Sequence, residues 1–581
     1  MEPRRRSLRS IPDYLEPFIV DQEMGRYSAI DQAVWRFVLL QLHARLEHTA
    51  HPSYVRGLAE SGISAERIPS IEEMNRKLSA IGWSAVCVDG FLPPRAFTAF
   101  QALGVLPIAA EIRTPDHLPY TPAPDIIHEA AGHAPILIDP RYAAYVKASG
   151  DVAERAFANP SDARVDRAVR LLSDLKDARD SSPPDIAASE RELSEAIGSL
   201  GPPSEAARLA RLYWWTAEYG LVGTPTDYRL YGAGLLSSLG ESHFCHAPSV
   251  LKHPLSVACV DVGFDITRPQ PQLFVARDFE HLHEVLAEVK QTLAHTRGGM
   301  LAARAALASQ ETCTVELEGG SELIGTLLEL SDGDGSTALW LRFAPGAALI
   351  DAGRLSARFE GSFLGLLGPL AEGKTPRELL SRQAGVSAGR ACSLSLEYAS
   401  GARLRGTWPQ PSEPGGNPWV WLEAVCIERP AHPPVRVPGR YPLLLSPRLL
   451  SARAGSSCPE VSPLASTPAR VPGTERQRVP KLRSASRRHA ELERLYSATE
   501  QLRSAPLPER AGRIAALREQ LDAQLPHEWL LRWNLLECLT ELGRTDSPLA
   551  KSLRARLWEL EEYYEGQHPI ALGLEYLSHS A

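Results

Sequence analysis

His128 and His133 stand five positions apart in Pro124-Asp125-Ile126-Ile127-His128-Glu129-Ala130-Ala131-Gly132-His133, and two imidazoles so close in the chain suggest a shared metal ion. On an α-helix of 3.6 residues per turn, the histidines of the zinc-hydrolase pattern H-E-x-x-H lie about 40° apart, whereas a spacing of five opens this to about 140°. The rings are expected to converge only if the helix breaks near Gly132, which tolerates the dihedrals of a helix end, and Pro135 then prevents regular continuation. The third ligand is expected from Tyr213-Trp214-Trp215-Thr216-Ala217-Glu218-Tyr219-Gly220-Leu221-Val222. Read as a helix, this segment gives Glu218 only apolar neighbours and no cation at helical contact distance. A buried carboxylate in such company needs a metal or a base beside it. Two histidines and one carboxylate form the facial set that holds non-haem Fe(II) and leaves positions open for oxygen and substrate. A zinc hydrolase using Glu129 as general base is the competing chemistry, and the five-residue spacing is against it.

Further blocks support a wider reading. Ile68 to Trp83 (IPSIEEMNRKLSAIGW), Gly90 to Phe97 (GFLPPRAF), Arg113-Thr114-Pro115, Tyr120 to His133, Tyr213 to Leu221 and Tyr231 to Ser238 (YGAGLLSS) occur in one order. From near Arg26 to near Leu301 the chain thus resembles the pterin-dependent aromatic amino acid hydroxylases, with a phenylalanine 4-monooxygenase-like catalytic domain. The resemblance implies that His128, His133 and Glu218 are catalytic iron ligands. It also implies that Phe97 stacks on the pterin ring, that Leu92 lies in the loop beside it, and that Glu129 lines the same pocket. Arg113, Thr121 and Ser237 fall where the family holds the amino acid's backbone groups, and a planar guanidinium suits a carboxylate. Trp214 and Pro122 match walls around the substrate ring, with Tyr219 beside them.

The implied cofactors are Fe(2+) and a tetrahydropterin, tetrahydrobiopterin or a relative, and the implied partners are a free aromatic amino acid and O2. Three departures stand out: Tyr219 replaces the usual phenylalanine, Ala123 replaces a commonly acidic residue, and Pro93-Pro94 removes backbone donors from the pterin loop. Ile266, next to Asp265, stands near where tyrosine hydroxylases resemble an acidic version, and Trp214 favours phenylalanine over tryptophan. Phenylalanine to tyrosine is the expected conversion, with tryptophan 5-hydroxylation, or a silent amino-acid or pterin sensor, as alternatives.

Composition is that of an ordinary cytoplasmic enzyme. With 581 residues, the chain is long enough for three or four domains, and its formal charge of −8 points to neither nucleic acid nor membrane. The basic start lacks the apolar run of a secretory signal, and no window approaches the ~20 apolar residues of a membrane helix. Eight scattered cysteines without a C-x-x-C pair argue against disulfides and thiolate metal sites.

The expected fold is multidomain. A mainly α catalytic domain of the hydroxylase type covers 1–305, a β-rich region of two related modules covers 310–455, a linker covers 456–486, and a helical unit covers 487–581. Cys313 to Glu318 echoes Cys392 to Glu397 at an offset of 79, whereas Gly325-Thr326 and Trp340-Leu341 recur 81 residues later, which suggests a two-residue turn insertion. Proline, serine and arginine enrichment marks Ser456 to Ser486 as an exposed linker. Leucine periodicity at 514–525 and 549–560, with Ser547-Pro548 as a helix start, marks amphipathic helices. The C-terminal half is expected to form its own cores, to support a homo-oligomer, and to be dispensable for folding and chemistry when the chain ends near Leu301.

Overall fold

The computed structural model describes residues 11–90, 92–118, 124–177, 182–266, 268–332, 338–387, 389–445, 448–462, 487–564 and 569–579. Thr121, Pro122 and Ala123 therefore lie outside the described residues, as do 463–486 of the expected linker. The helix Ala29–Thr49 organises the first half. Ser28 and Asp31 close its start reciprocally: the serine hydroxyl accepts from the Asp31 N–H, and the carboxylate accepts from the Ser28 N–H. Trp35, Phe37, Val38, Leu39, Leu42 and Leu46 bury almost its whole circumference, so one layer of neighbours cannot cover it.

Both sides are covered. On one side lie the helices and short sheets of the first half, including the parallel pair Ser84–Val88 and Val105–Ala109 and a four-stranded sheet centred on Leu221–Thr224 and Gln272–Ala276. On the other lie the C-terminal helices Arg487–Ser504, Leu530–Glu541 and Ile570–His579. Phe37 meets Trp529 and Trp533 edge-on, with ring centres 5.2 and 4.7 Å away. Arg36, nearly fully buried, donates to Glu66, Glu537 and Glu541, each at 2.7 Å, and Arg503 also pairs with Glu537. Glu493 accepts the Ala29 N–H at 2.7 Å, one of the donors a helix start leaves free. The expectation of a separate core for residues 487–581 is corrected. Leu521, Leu530, Leu553 and Leu574 belong to the same continuous core as Trp35 and Ile127.

The β-rich region has its own core, and the helix Gly299–Ser309 inserts Met300, Ala302 and Ala306 into it. That core also takes in Phe157 and Ala294 from the first half, and the helices on either side of Gly298 break at that residue, whose φ of 69° suits glycine. In the hairpin of Thr312–Leu317 with Glu322–Asp332, Cys313 faces Gly325 and Val315 faces Leu323. In that of Cys392–Glu397 with Arg403–Trp408, Leu394 faces Gly406 and Leu396 faces Leu404. Every pair is displaced by 81 (394 − 313 and 406 − 325), so the 79-residue match of Cys313 with Cys392 is two residues out of register and no insertion is needed. A two-residue slip leaves every side chain on its original face, so alternation alone cannot detect it. The segment 456–462 is also corrected: Cys458 is buried against Ile324, Ala348 and Ile350, and the Ser457 N–H donates to the Thr314 hydroxyl at 3.1 Å. Among the described residues no helix is long and apolar enough to cross a membrane.

Glu537 is the charge on which the two helical layers meet. Burial alone would raise its pKa, but Arg503 and Arg36 outweigh burial and hold the carboxyl below its usual range. Its contribution is therefore present above the ordinary glutamate pKa and is lost as pH falls through the lower folded value. Glu537→Gln is expected to cost about 1–3 kcal/mol at neutral pH, because Arg36 and Arg503 keep Glu541 but lose the buried charged acceptor they share, and less in acid. Thermal melts at neutral and acid pH check this, and an unchanged neutral melting temperature would contradict it.

Candidate metal centre

The two histidines are brought together by a π-helical stretch, Ile127–His133, and not by a break at Gly132. An i→i+5 turn does for residues five apart what an α-turn does for residues four apart, setting them on one face. Local chemistry favours the wider turn. Asp125 starts it, with its carboxylate accepting the His128 N–H at 3.0 Å and its carbonyl accepting the Glu129 N–H at 3.0 Å. Pro135 cannot donate to the Ala131 carbonyl four residues back, and the buried Tyr54 hydroxyl donates to it instead at 3.0 Å. Gly132 serves close approach rather than unusual dihedrals: a Cβ there would lie 2.8 Å from the Ala233 carbonyl oxygen. A second π turn, Trp214–Glu218, presents the glutamate, with the Tyr219 N–H donating to the Trp214 carbonyl at 2.9 Å. There the Thr216 hydroxyl donates back to the Leu212 carbonyl at 2.6 Å.

The three side chains meet at one point. One candidate ligand atom from each of His128, His133 and Glu218 lies within 4.8 Å of the others. Each histidine Nε2 is 3.2 Å from a different Glu218 oxygen. The buried His133 Nε2 faces Glu218 but makes no aligned hydrogen bond among the described residues. Burial would push Glu218 up, and positive charge on the two rings, or a cation in its place, holds it below the usual carboxylate range. The His128 tautomer follows from its other nitrogen. The Ser237 hydroxyl spends its one proton on the Ala233 carbonyl at 2.7 Å and so accepts from His128 Nδ1–H at 3.0 Å, leaving a lone pair on Nε2. Two ring nitrogens turned inward, one with its lone pair free by tautomer, and a carboxylate between them suit a divalent cation.

Asp125 carries more than the helix start. Its oxygens accept from Arg113 Nε and Nη2, both at 2.8 Å, and from the Arg113 N–H at 2.9 Å, while Arg113 Nη1 donates to the Ser237 carbonyl at 3.3 Å. Sequence reasoning missed Asp125. An acidic residue after a proline and just before an apolar helical run is the signal that could have found it. Glu129 is buried, one of its oxygens has no partner among the described residues, and burial pushes its pKa up to about 8.

Phe97 sits in the first turn of the helix Pro94–Leu103, edge-on to Tyr213 at 5.9 Å. Tyr213 feels the charges of both Glu218 and Glu129, and its hydroxyl accepts from the Gln101 amide. Leu92 packs against the small cluster of Leu15, Phe18 and Phe100 behind that helix. Trp214 lies between Phe264, stacked at 4.2 Å, and Tyr219 at 4.7 Å. The buried Gln270 accepts from the Trp214 indole at 3.3 Å and donates to the Asp265 and Arg268 carbonyls at 2.8 and 3.0 Å, tying the loop that carries Phe264 and Ile266 to the tryptophan. Neither Phe264 nor Gln270 was expected from the sequence.

Fold and site together define a protein with a buried centre of two histidines and one carboxylate. The family model for biopterin-dependent aromatic amino acid hydroxylases matches residues 19–169 and 184–298. Phenylalanine-4-hydroxylase from Chromobacterium violaceum is 30% identical over 275 residues, 47% of this chain and 75% of the relative. That from Ralstonia nicotianae is 31% identical over 48% and 73% of the two chains. The crystal structure of the Chromobacterium enzyme with iron(III) and 7,8-dihydrobiopterin aligns at 28% identity over 47% of this chain and 85% of its own, with a TM-score of 0.38. The chain belongs to the biopterin-dependent aromatic amino acid hydroxylase family.

The Ser237–His128 contact generates a prediction. Ser237→Ala is expected to weaken divalent-metal binding about 10–100-fold, because the ring loses the partner that sets its tautomer. Titration of metal-free protein with Co(2+), followed by absorption, checks this. Unaltered affinity would remove Ser237 from the centre's support.

Proposed function

We propose that the chain is a monooxygenase that hydroxylates the ring of a free aromatic amino acid, phenylalanine to tyrosine, using O2, Fe(2+) and a tetrahydropterin. The observation that carries this reading is the convergence of His128, His133 and Glu218, with both ring nitrogens turned onto one buried carboxylate. Ligands on one face leave the opposite positions free for oxygen and substrate. When bound, iron and reduced pterin together supply the electrons and the activated oxygen, one atom of which enters the ring.

The chain's own residues orient and shield. Arg113 already gives three N–H groups to Asp125 and to the Ser237 carbonyl, which leaves one on each terminal nitrogen to grip an amino-acid carboxylate. Asp125 fixes that guanidinium while capping the histidine turn, so substrate and metal are held in one frame. Trp214 and Tyr219 wall the substrate ring, with Pro122 assigned to the same task by resemblance and Thr121 to holding the amino acid's backbone groups. Phe97 offers its face to the pterin, with Leu92 and Glu129 beside it. The two relatives named above, both phenylalanine-4-hydroxylases, and the bulk of Trp214 support phenylalanine over tryptophan. We read the two hairpins with a common 81-residue offset as copies of one β module. Eight free cysteines support a reducing, cytoplasmic setting.

Purified protein is expected to hold iron in equimolar amount, and His128→Ala, His133→Ala and Glu218→Ala should each abolish hydroxylation. Tightly held zinc with hydrolytic activity, or normal turnover of the Glu218 variant, would defeat the reading. At equal concentrations phenylalanine should be converted faster than tryptophan, and Arg113→Lys should raise the amino-acid KM more than the pterin KM, because lysine keeps charge but loses the planar fork. Product identification by mass spectrometry decides the first, and initial rates decide the second.

A further inference from the structure

The β-rich region begins and ends at one place, and that place is the helix bearing Phe97. Its first strand, Thr312–Leu317, pairs with its last, Leu449–Ala454, so that Cys313 faces Ala454, and the Gly455 N–H donates to the Thr312 carbonyl at 2.9 Å. Glu311, just before the first strand, forms an ion pair with Arg95 Nη2. Gly455, just after the last strand and at a φ of 76°, lies so close that a Cβ there would be 3.7 Å from Arg95 Nη1. The Ala454 N–H also donates to the Arg155 carbonyl at 3.1 Å.

Arg95 occupies the first turn of Pro94–Leu103, two residues before Phe97. The body of this helix is held elsewhere. Ala96, Ala99 and Phe100 pack against Leu15, Phe18 and Val86, and at Gly150 the helix Pro140–Glu154 comes so near that an added Cβ would lie 2.7 Å from the Thr98 carbonyl oxygen. The first turn has Arg95, which donates through Nη1 to the Glu154 carbonyl at 3.2 Å and through Nη2 to Glu311. The Arg95 and Glu311 side chains are only 24% and 29% exposed, so the pair is largely shielded from water.

We propose that Arg95 and Glu311 are positioning residues for the pterin: through this pair the β-rich region fixes the turn that presents Phe97, and the C-terminal half thereby takes part in cofactor binding. The inference rests on the reading of Phe97 as the pterin-stacking residue. It gives the β-rich region a task that acts on one cofactor and not on the metal or the amino acid.

The test uses the full chain and initial rates against tetrahydropterin concentration. Glu311→Gln is expected to raise the pterin KM about fivefold, the scale of one partly shielded ion pair, with amino-acid KM and iron content unchanged. Arg95→Gln should do at least as much, the double variant no more than Arg95→Gln alone, and Glu311→Asp should recover part of the loss. An unchanged pterin KM in Glu311→Gln overturns the proposal, as do additive effects or a parallel loss of iron and amino-acid affinity, which would mark general loosening. Wild-type rates that never saturate with tetrahydropterin would overturn the functional reading itself. Saturation in the wild type with no change in the variants overturns only the role of the pair.

Discussion

A carboxylate buried between two imidazoles is the constraint on which the first half of this structure depends. Glu218 is shielded from water, and among the described residues its ion-pair partners are the two histidine rings. Such an arrangement costs several kcal/mol in desolvation unless a cation completes it. It also has to be geometrically tight, because a misplaced ring would leave the charge uncompensated. Both π turns answer that demand: each departs from the α-helix at the residues that must face inward.

Around the centre, hydrogen bonds close into a ring. Asp125 holds the His128 N–H and the Arg113 guanidinium, Arg113 reaches the Ser237 carbonyl, and the Ser237 hydroxyl returns to the His128 ring. Movement of any member disturbs His128 and the Arg113 guanidinium together. In a low-dielectric interior each bond of such a network is strengthened by its neighbours. The same economy appears at Tyr54, whose hydroxyl takes the carbonyl that Pro135 leaves free.

The C-terminal half extends this frame in two ways. Its helices complete the cover of Ala29–Thr49, where Phe37 meets two tryptophans and Arg36 meets two glutamates more than 500 positions away in sequence. Its β-rich region keeps a separate core but closes its first and last strands against the Phe97 helix. Closing such long loops carries an entropic cost that grows only slowly with length, so distant segments can share one core at little extra penalty.

The three side chains that converge on the candidate centre, their order and the family blocks around them were legible in the sequence, because a buried cluster of imidazoles and a carboxylate restricts residue identity. Ser547 as a helix start and the leucine stripes were legible for a similar local reason. The π turn was not: α-helical arithmetic placed His128 and His133 apart, and only the competition among Asp125, Pro135 and Tyr54 for backbone groups decides the wider turn. The register of the second hairpin was hidden because a slip of two preserves every face. Apolar periodicity showed that residues 514–525 and 549–560 would each bury a stripe, but a stripe does not name its partner. The sequence by itself therefore determined which groups could do chemistry and which faces must leave water. The tertiary structure decided which faces met, because hydrophobic burial is non-directional and the choice among partners rests on shape and on buried charges such as Arg36 and Glu537 finding each other.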